Sequence, residues 1–408
     1  MPRNTVVAFA ARNGTGEGDP MSDDRLVTPR FIVVTLAALA YFVAIAAVLP
    51  VLPVYVETDL GGSSFEVGLS VGVMGLSAAL LRPILGAIGD RKGRRFVMMT
   101  GALIAGAGML LLVGASSVAM VVLARLVTGV GEAFTFVGAA AAAQDLAPED
   151  RRGEAASYFS LAIYGGLALG PLAGDALADA QGADAVWLFA AVMCAVSAGL
   201  AWISAPGATA EMADVERPAT WLHRAAVRPG MVLGLVLMAQ AGFVSFIQLY
   251  SDDIGIRIGG LAFLVFALVV VTLRLVAAKV PDQVPTITLA RFAAVCSASG
   301  LAIIGLTRST AGVVIGTVIH AVGQTFLFPG LFKVVIETAG ERSRSHAIAT
   351  FSMFFDLATG LGGITLGLAA DGFGTEAAAF LVGAGLCGAT ALLVGPLVGP
   401  AVATHAEL

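Results

Sequence analysis

Charge is scarce in this chain. Only 12% of its 408 residues are Asp, Glu, Lys or Arg, and 58% are hydrophobic. A soluble domain carries about 25% charged residues, so a water-facing globule is excluded and burial in lipid is the class that remains. Cysteine is nearly missing as well: Cys194, Cys296 and Cys387 stand far apart inside apolar segments. They read as small core residues, and neither a disulfide framework nor a thiolate metal site is expected. The histidines, His223, His320, His346 and His405, are too dispersed for a metal cluster or a nucleophile–base constellation, which argues against a membrane-embedded enzyme. No Gly-rich Walker loop is present, so nucleotide-driven transport has no support and no cofactor is expected. The net charge of −5 says little about partners, because charge in such a chain is sorted by membrane side, and no nucleic-acid partner is expected.

A secretory signal is lacking too. Residues 1–29 are polar, Gly-rich and charged without an apolar core. Met21 offers an alternative start. Beyond residue 29 the chain turns apolar. A bilayer core of roughly 30 Å takes about 20 apolar residues per helix. Runs of that length predict spans near 31–55, 66–89, 96–114, 118–143, 155–178 and 186–205, then near 230–250, 258–278, 289–307, 311–334, 346–370 and 376–397. The expected organisation is a tail (1–29), a six-helix half (30–205), a polar linker (206–229), a second six-helix half (230–398) and a second tail (399–408). Of the 23 Lys and Arg, all but Arg82, Arg125, Arg257, Arg274 and Arg308 fall on the side holding the N-terminus, the 86–95 loop and the linker. By the positive-inside rule both termini are cytoplasmic, and the protein crosses the cell membrane many times.

The two halves repeat at a constant offset of 192 residues, which pairs Arg82 with Arg274, Asp90 with Asp282, Gly131 with Gly323 and Glu132 with Gln324. The same offset pairs Phe134 with Phe326, Arg152 with Arg344, Phe159 with Phe351, Gly170 with Gly362 and Asp179 with Asp371. Two six-helix halves related by an axis along the membrane normal form the architecture of a rocking transporter, with its central site between them near the midplane. The fold class expected is therefore an all-α membrane protein of twelve transmembrane helices in two pseudo-symmetric halves.

One loop carries more information than any other segment. Gly86-Ala87-Ile88-Gly89-Asp90-Arg91-Lys92-Gly93-Arg94-Arg95 packs charge between two apolar runs, and Gly93 offers the positive φ of a tight reversal. The pattern G-x-x-x-D-R-x-G-R-R resembles the signature loop between helices 2 and 3 of the major facilitator superfamily. The second half keeps only Lys279 and Asp282 of it. Pro50 and Pro53 are expected to close span 1, and Gly166-x-x-x-Gly170-Pro171-x-x-Gly174 lines one face of span 5 with small residues. Physically this is helix packing. The combination resembles the proline pair and glycine–proline motif of twelve-span drug:proton antiporters in that superfamily, with Asp175 standing where a further glycine is expected. The resemblance implies a monomeric secondary transporter embedded in lipid that moves a small molecule against protons. It also implies that Asp90, with the Arg91, Arg94 and Arg95 cluster, meets the N-terminus of span 11 at Ser345, His346 and Ala347 and latches the halves on the cytoplasmic side.

Ionisable groups at membrane depth are expensive and mark function by default. Arg125 lies about eight residues into span 4, roughly 12 Å deep, and Glu132 follows two turns later on the same face. Arg125 matches the span-4 arginine that proton-coupled members of the superfamily link to proton movement. Glu132, with no lysine at that depth, is expected to be protonated, to face a wet cavity or to pair with Arg125. Asp356, about eleven residues into span 11, is the single acid near mid-membrane in the second half. Span 1 has no acid, so any proton site must be assembled from Glu132 and Asp356. Tyr41, Tyr158, Tyr164, Gln240, His320, Gln324 and Phe351 are the midplane candidates for a mostly apolar substrate cavity. Sugar-phosphates and nucleotides would want several midplane cations and are disfavoured. The function expected is proton-coupled efflux of small hydrophobic or amphipathic compounds. Sugar or metabolite efflux on the same fold, and a non-transporting membrane sensor, are the alternatives.

Overall fold

The computed structural model describes residues 26–148, 151–204, 222–256, 259–277, 280–339 and 344–406. Its elements are helices. The first half holds α1 (Pro29–Ala47), α2 (Val51–Val54) with a π-turn at Tyr55–Asp59, α3 (Ser64–Lys92), α4 (Arg94–Leu112), α5 (Val118–Asp145), α6 (Arg152–Gln181) and α7 (Ala183–Ser204). The second holds α8 (Arg224–Asp253), α9 (Gly259–Val276), α10 (Val280–Gln283), α11 (Thr286–Thr307), α12 (Thr310–Ala339), α13 (Arg344–Phe373) and α14 (Ala377–Ala406). Eleven segments among the described residues are long and apolar enough to cross a bilayer, and Gly260–Val276 is a shorter apolar helix at the place of the remaining predicted span.

Local chemistry sets the ends. Thr28 accepts from the Phe31 N–H and Pro29 opens α1, while Ser117 accepts from Met120 at the start of α5. Gly93 separates α3 from α4 with φ 84°, the conformation expected of a glycine there. The proline pair behaves differently from expectation. Pro50 and Pro53 do not close span 1, because the chain turns at Val48–Pro50 and resumes as helix through Val54 and on to Asp59. Proline at a helix start has no N–H to waste, so a proline pair can restart a helix as readily as end one. The second half also begins earlier than the apolar run: α8 starts at Arg224, six residues ahead of the predicted span, and residues 205–221 of the linker lie outside the described residues.

Lipid supplies no hydrophobic drive between helices, so close approach through small residues holds the bundle together. Gly166, Gly170 and Gly174 of α6 face Phe42, Val43, Ala46 and Ala47 of α1, inside the first half. The boundary between the halves has its own set. Gly68 and Gly72 of α3 lie directly against Gly363 and Gly360 of α13, and a Cβ at Gly367 would stand 2.5 Å from the Ser64 carbonyl. On the other side of the boundary α6 faces α9, where Gly260 meets Asp175. The repeat relates α3 to α9 and α6 to α13, so both halves use the same two elements to meet.

Candidate functional site

Where α3, α5 and α13 converge, three ionisable side chains share a buried position. Arg82 of α3 donates from Nη2 to Asp356 Oδ1 at 2.9 Å, and its Nε contacts the other carboxylate oxygen. The same Nη2 stands 3.6 Å from Glu132 Oε1 on α5. The guanidinium lies 4.5 Å above the ring of Phe136, one turn beyond Glu132. Two carboxylates from different halves therefore share one cation, with an aromatic face closing the third side. Arg82 is the residue that sequence reasoning misses. The signal is present, a mid-span cation duplicated as Arg274, but spacing along one helix sets Glu132 against Arg125 alone.

Arg125 is elsewhere engaged. It is 1% exposed, donates from Nε to the Ser70 carbonyl at 3.3 Å, and its Nη1 has no hydrogen-bond partner among the described residues. The ion pair of Glu132 is with Arg82 instead, because side chains seven residues apart on one face are stacked along the axis while α3 abuts α5 sideways. Tyr41 is fully buried from α1, within electrostatic reach of both Glu132 and Arg125.

The remaining cavity candidates fall into separate places. His320 and Gln240 pair with each other, Nε2 to Oε1 at 2.5 Å, beneath the rings of Phe243 and Phe266. Gln324 reaches Ser297 at 3.5 Å. Phe351 packs on Phe328 and Phe332, and Tyr158 meets Phe31 edge-on at the bundle surface. Tyr164 lines a cavity of about 290 Å³ between α6, α9 and α12, with the Arg274 guanidinium 4.7 Å above its ring.

In the signature loop, Gly86 lies within α3, and the side chains of Asp90, Arg91, Ser345 and His346 are outside the described ones. Arg94 donates to Asp145 of α5 at 2.9 Å, and Arg95 lies 5.8 Å from the Trp202 ring of α7, so both are tied within the first half. The device expected of that loop, a carboxylate of one half capping a helix of the other, is present at the opposite end of the bundle. Asp371 at the end of α13 accepts from the Ser64 and Phe65 N–H groups at 2.8 and 2.9 Å, capping α3. Asp175 of α6 accepts from the Gly260 N–H at the start of α9. That residue, a departure from the glycine pattern in sequence, thus serves as a cap between halves. A cavity of about 740 Å³ opens beside it, lined by Pro50, Tyr55, Asp59 and Asp252.

Removing a helix-capping oxygen costs about 0.5–2 kcal/mol. Asp371→Ala is accordingly expected to raise the open-to-closed ratio at this end by about 2- to 30-fold. Spin labels on Ser63 and Phe373 would report a longer mean distance in the variant. An unchanged distance distribution would show that the caps do not hold this end closed.

The sequence model described as Major Facilitator Superfamily matches residues 34–363. The chain is similar to the uncharacterized MFS-type transporter STM4428 of Salmonella typhimurium, 28% identical over 343 residues, covering 82% of this chain and 88% of the relative. It is similar to the uncharacterized MFS-type transporter YhhS of Escherichia coli at 24% identity, covering 89% and 91%. Among solved structures, the human organic anion transporter MFSD10 shares the fold with a TM-score of 0.68 at 19% identity, over 90% of this chain and 100% of that one. A bacterial homologue of the human lysosomal transporter Spinster, inward-facing and occupied, superposes with a TM-score of 0.71 at 16% identity, over 92% and 96%. These structural likenesses speak to the fold alone.

Proposed function

The chain belongs to the Major Facilitator Superfamily of transporters, and from that premise we propose that it exports small hydrophobic or amphipathic compounds across the cell membrane in exchange for protons, with both termini cytoplasmic. The observation that carries this reading is the sharing of Arg82 between Glu132 and Asp356. With both carboxylates ionised the cluster holds a net negative charge, and one added proton makes it neutral. A buried uncompensated charge is costly, so the cluster favours taking up that proton whenever water is excluded. Asp356 stands in the second half and Arg82 with Glu132 in the first, so loading the proton changes how strongly the halves hold each other. That link between occupancy and rocking is what coupled transport requires. Export, and an apolar cargo, follow from the resemblance to drug:proton antiporters.

Ethidium accumulation in inverted membrane vesicles under an imposed pH gradient tests the reading. Glu132→Gln is expected to retain exchange of ethidium while losing gradient-driven accumulation, and Asp356→Asn to do the same. Full gradient-driven accumulation in both variants would remove these carboxyls from the coupling.

A further inference from the structure

The repeat that relates Arg82 to Arg274 also relates Tyr164 to Asp356, at the same offset of 192 residues. In space, each arginine crosses the boundary between the halves to the residue that the repeat assigns to it. Arg82 leaves α3 and binds Asp356 on α13, while Arg274 leaves α9 and lies over the Tyr164 ring on α6. The clasp is duplicated but its carboxylate is not. Among the described residues Arg274 has no carboxylate partner, and its buried Nε has no hydrogen-bond acceptor. Beside it is the cavity of about 290 Å³, lined further by Ser160, Leu161, Thr325 and Phe326.

We infer that this cavity is a substrate subsite in which Arg274 binds the carboxylate of an apolar monocarboxylate, the ligand supplying the acid that the repeat lacks at Tyr164. Guanidinium stays charged at all working pH values and offers a planar fork that matches a carboxylate through paired hydrogen bonds. Among the described lining residues Arg274 is the one cation, and it balances one negative charge, whereas a phosphate or polyanion would bring more charge than it can match. The other walls are largely aliphatic or aromatic, which suits an apolar body behind the carboxylate. This deepens the transport reading above and rests on it for the passage of the ligand, while binding can be measured separately.

The probes are 2-naphthoate and decanoate, each against its uncharged amide, titrated into the purified full chain. Charge-assisted hydrogen bonds should favour the acid over the amide by about tenfold or more. Arg274→Gln is expected to bring that ratio to about one. Tyr164→Asp supplies an internal carboxylate at the position equivalent to Asp356, and is expected to abolish the preference while keeping the fold, since it rebuilds a pair the first clasp already tolerates. A ratio near one in the wild-type protein for both probes would overturn the subsite, as would a preference that survives in folded Tyr164→Asp. If the preference behaves as expected while Glu132→Gln and Asp356→Asn keep full gradient-driven transport, proton coupling falls and the subsite stands. The converse pattern removes the subsite alone.

Discussion

Arg82→Met should be among the most damaging single substitutions in this chain. It leaves Glu132 and Asp356 facing each other in a buried site without their shared cation. Breaking a buried ion pair by deleting one partner costs about 3–5 kcal/mol, because the remaining charge is uncompensated. A smaller loss is expected because protonation can relieve part of the repulsion, but the folded yield and the unfolding temperature in detergent should still fall sharply. The informative comparison is the triple variant Arg82→Met, Glu132→Gln, Asp356→Asn. Replacing a buried ionic group with well-packed apolar residues is often neutral or stabilising; Gln and Asn remove the uncompensated charge but bury two amides, so the triple variant should recover part of the lost stability. It should recover none of the gradient-driven transport. Equal stability of the single and triple variants would mean that the charges are not energetically joined.

The second large effect belongs to the glycine contact between α3 and α13. Gly68 and Gly363 lie backbone against backbone, so any side chain at Gly68 must displace α13 itself. Overpacking costs about 1–3 kcal/mol, and here the strain can be relieved by separating the halves at the end where Asp371 caps α3. Gly68→Leu should therefore shift the equilibrium toward separation at that end by about fivefold to a hundredfold. The same spin-label pair on Ser63 and Phe373 reads the shift directly. Gly199→Leu on α7 is the matched control, since a Cβ there meets nothing within 4 Å. If both substitutions leave the distance distribution unchanged, the glycine contact does not set the conformational balance.

The spans and the repeat are legible in the sequence because a bilayer imposes one length and one hydropathy on every crossing, and a duplication preserves spacing. Arg82 and Arg274 can be paired by counting residues. What each arginine touches cannot be counted. Contact between α3, α5 and α13 depends on which helix faces abut, and spacing alone sets Glu132 against Arg125 because the two share a helix. The pairing of His320 with Gln240 across 80 residues is hidden for the same reason. Asp175 is visible only as a broken glycine pattern, since capping a helix of the other half is a property of the assembled bundle. Helix ends are misjudged where hydropathy fades before hydrogen bonding does: α12 runs to Ala339 and α3 to Lys92, each beyond its apolar run. Pro50 and Pro53 carry a further lesson, because a proline marks a discontinuity without saying whether the helix resumes.

The central claim is that a proton held among Arg82, Glu132 and Asp356 changes how the halves engage. Distance measurements between spin labels test it without knowledge of the cargo. With labels on Ser63 and Phe373, the wild-type distribution should shift between acid and alkaline buffer as the cluster gains and loses its proton. In the Glu132→Gln, Asp356→Asn double variant the distribution should stay constant over the same range, although Tyr41 and Arg125 remain in place beside the site. A wild-type distribution indifferent to pH, or a double variant that still responds to it as the wild type does, would contradict the account.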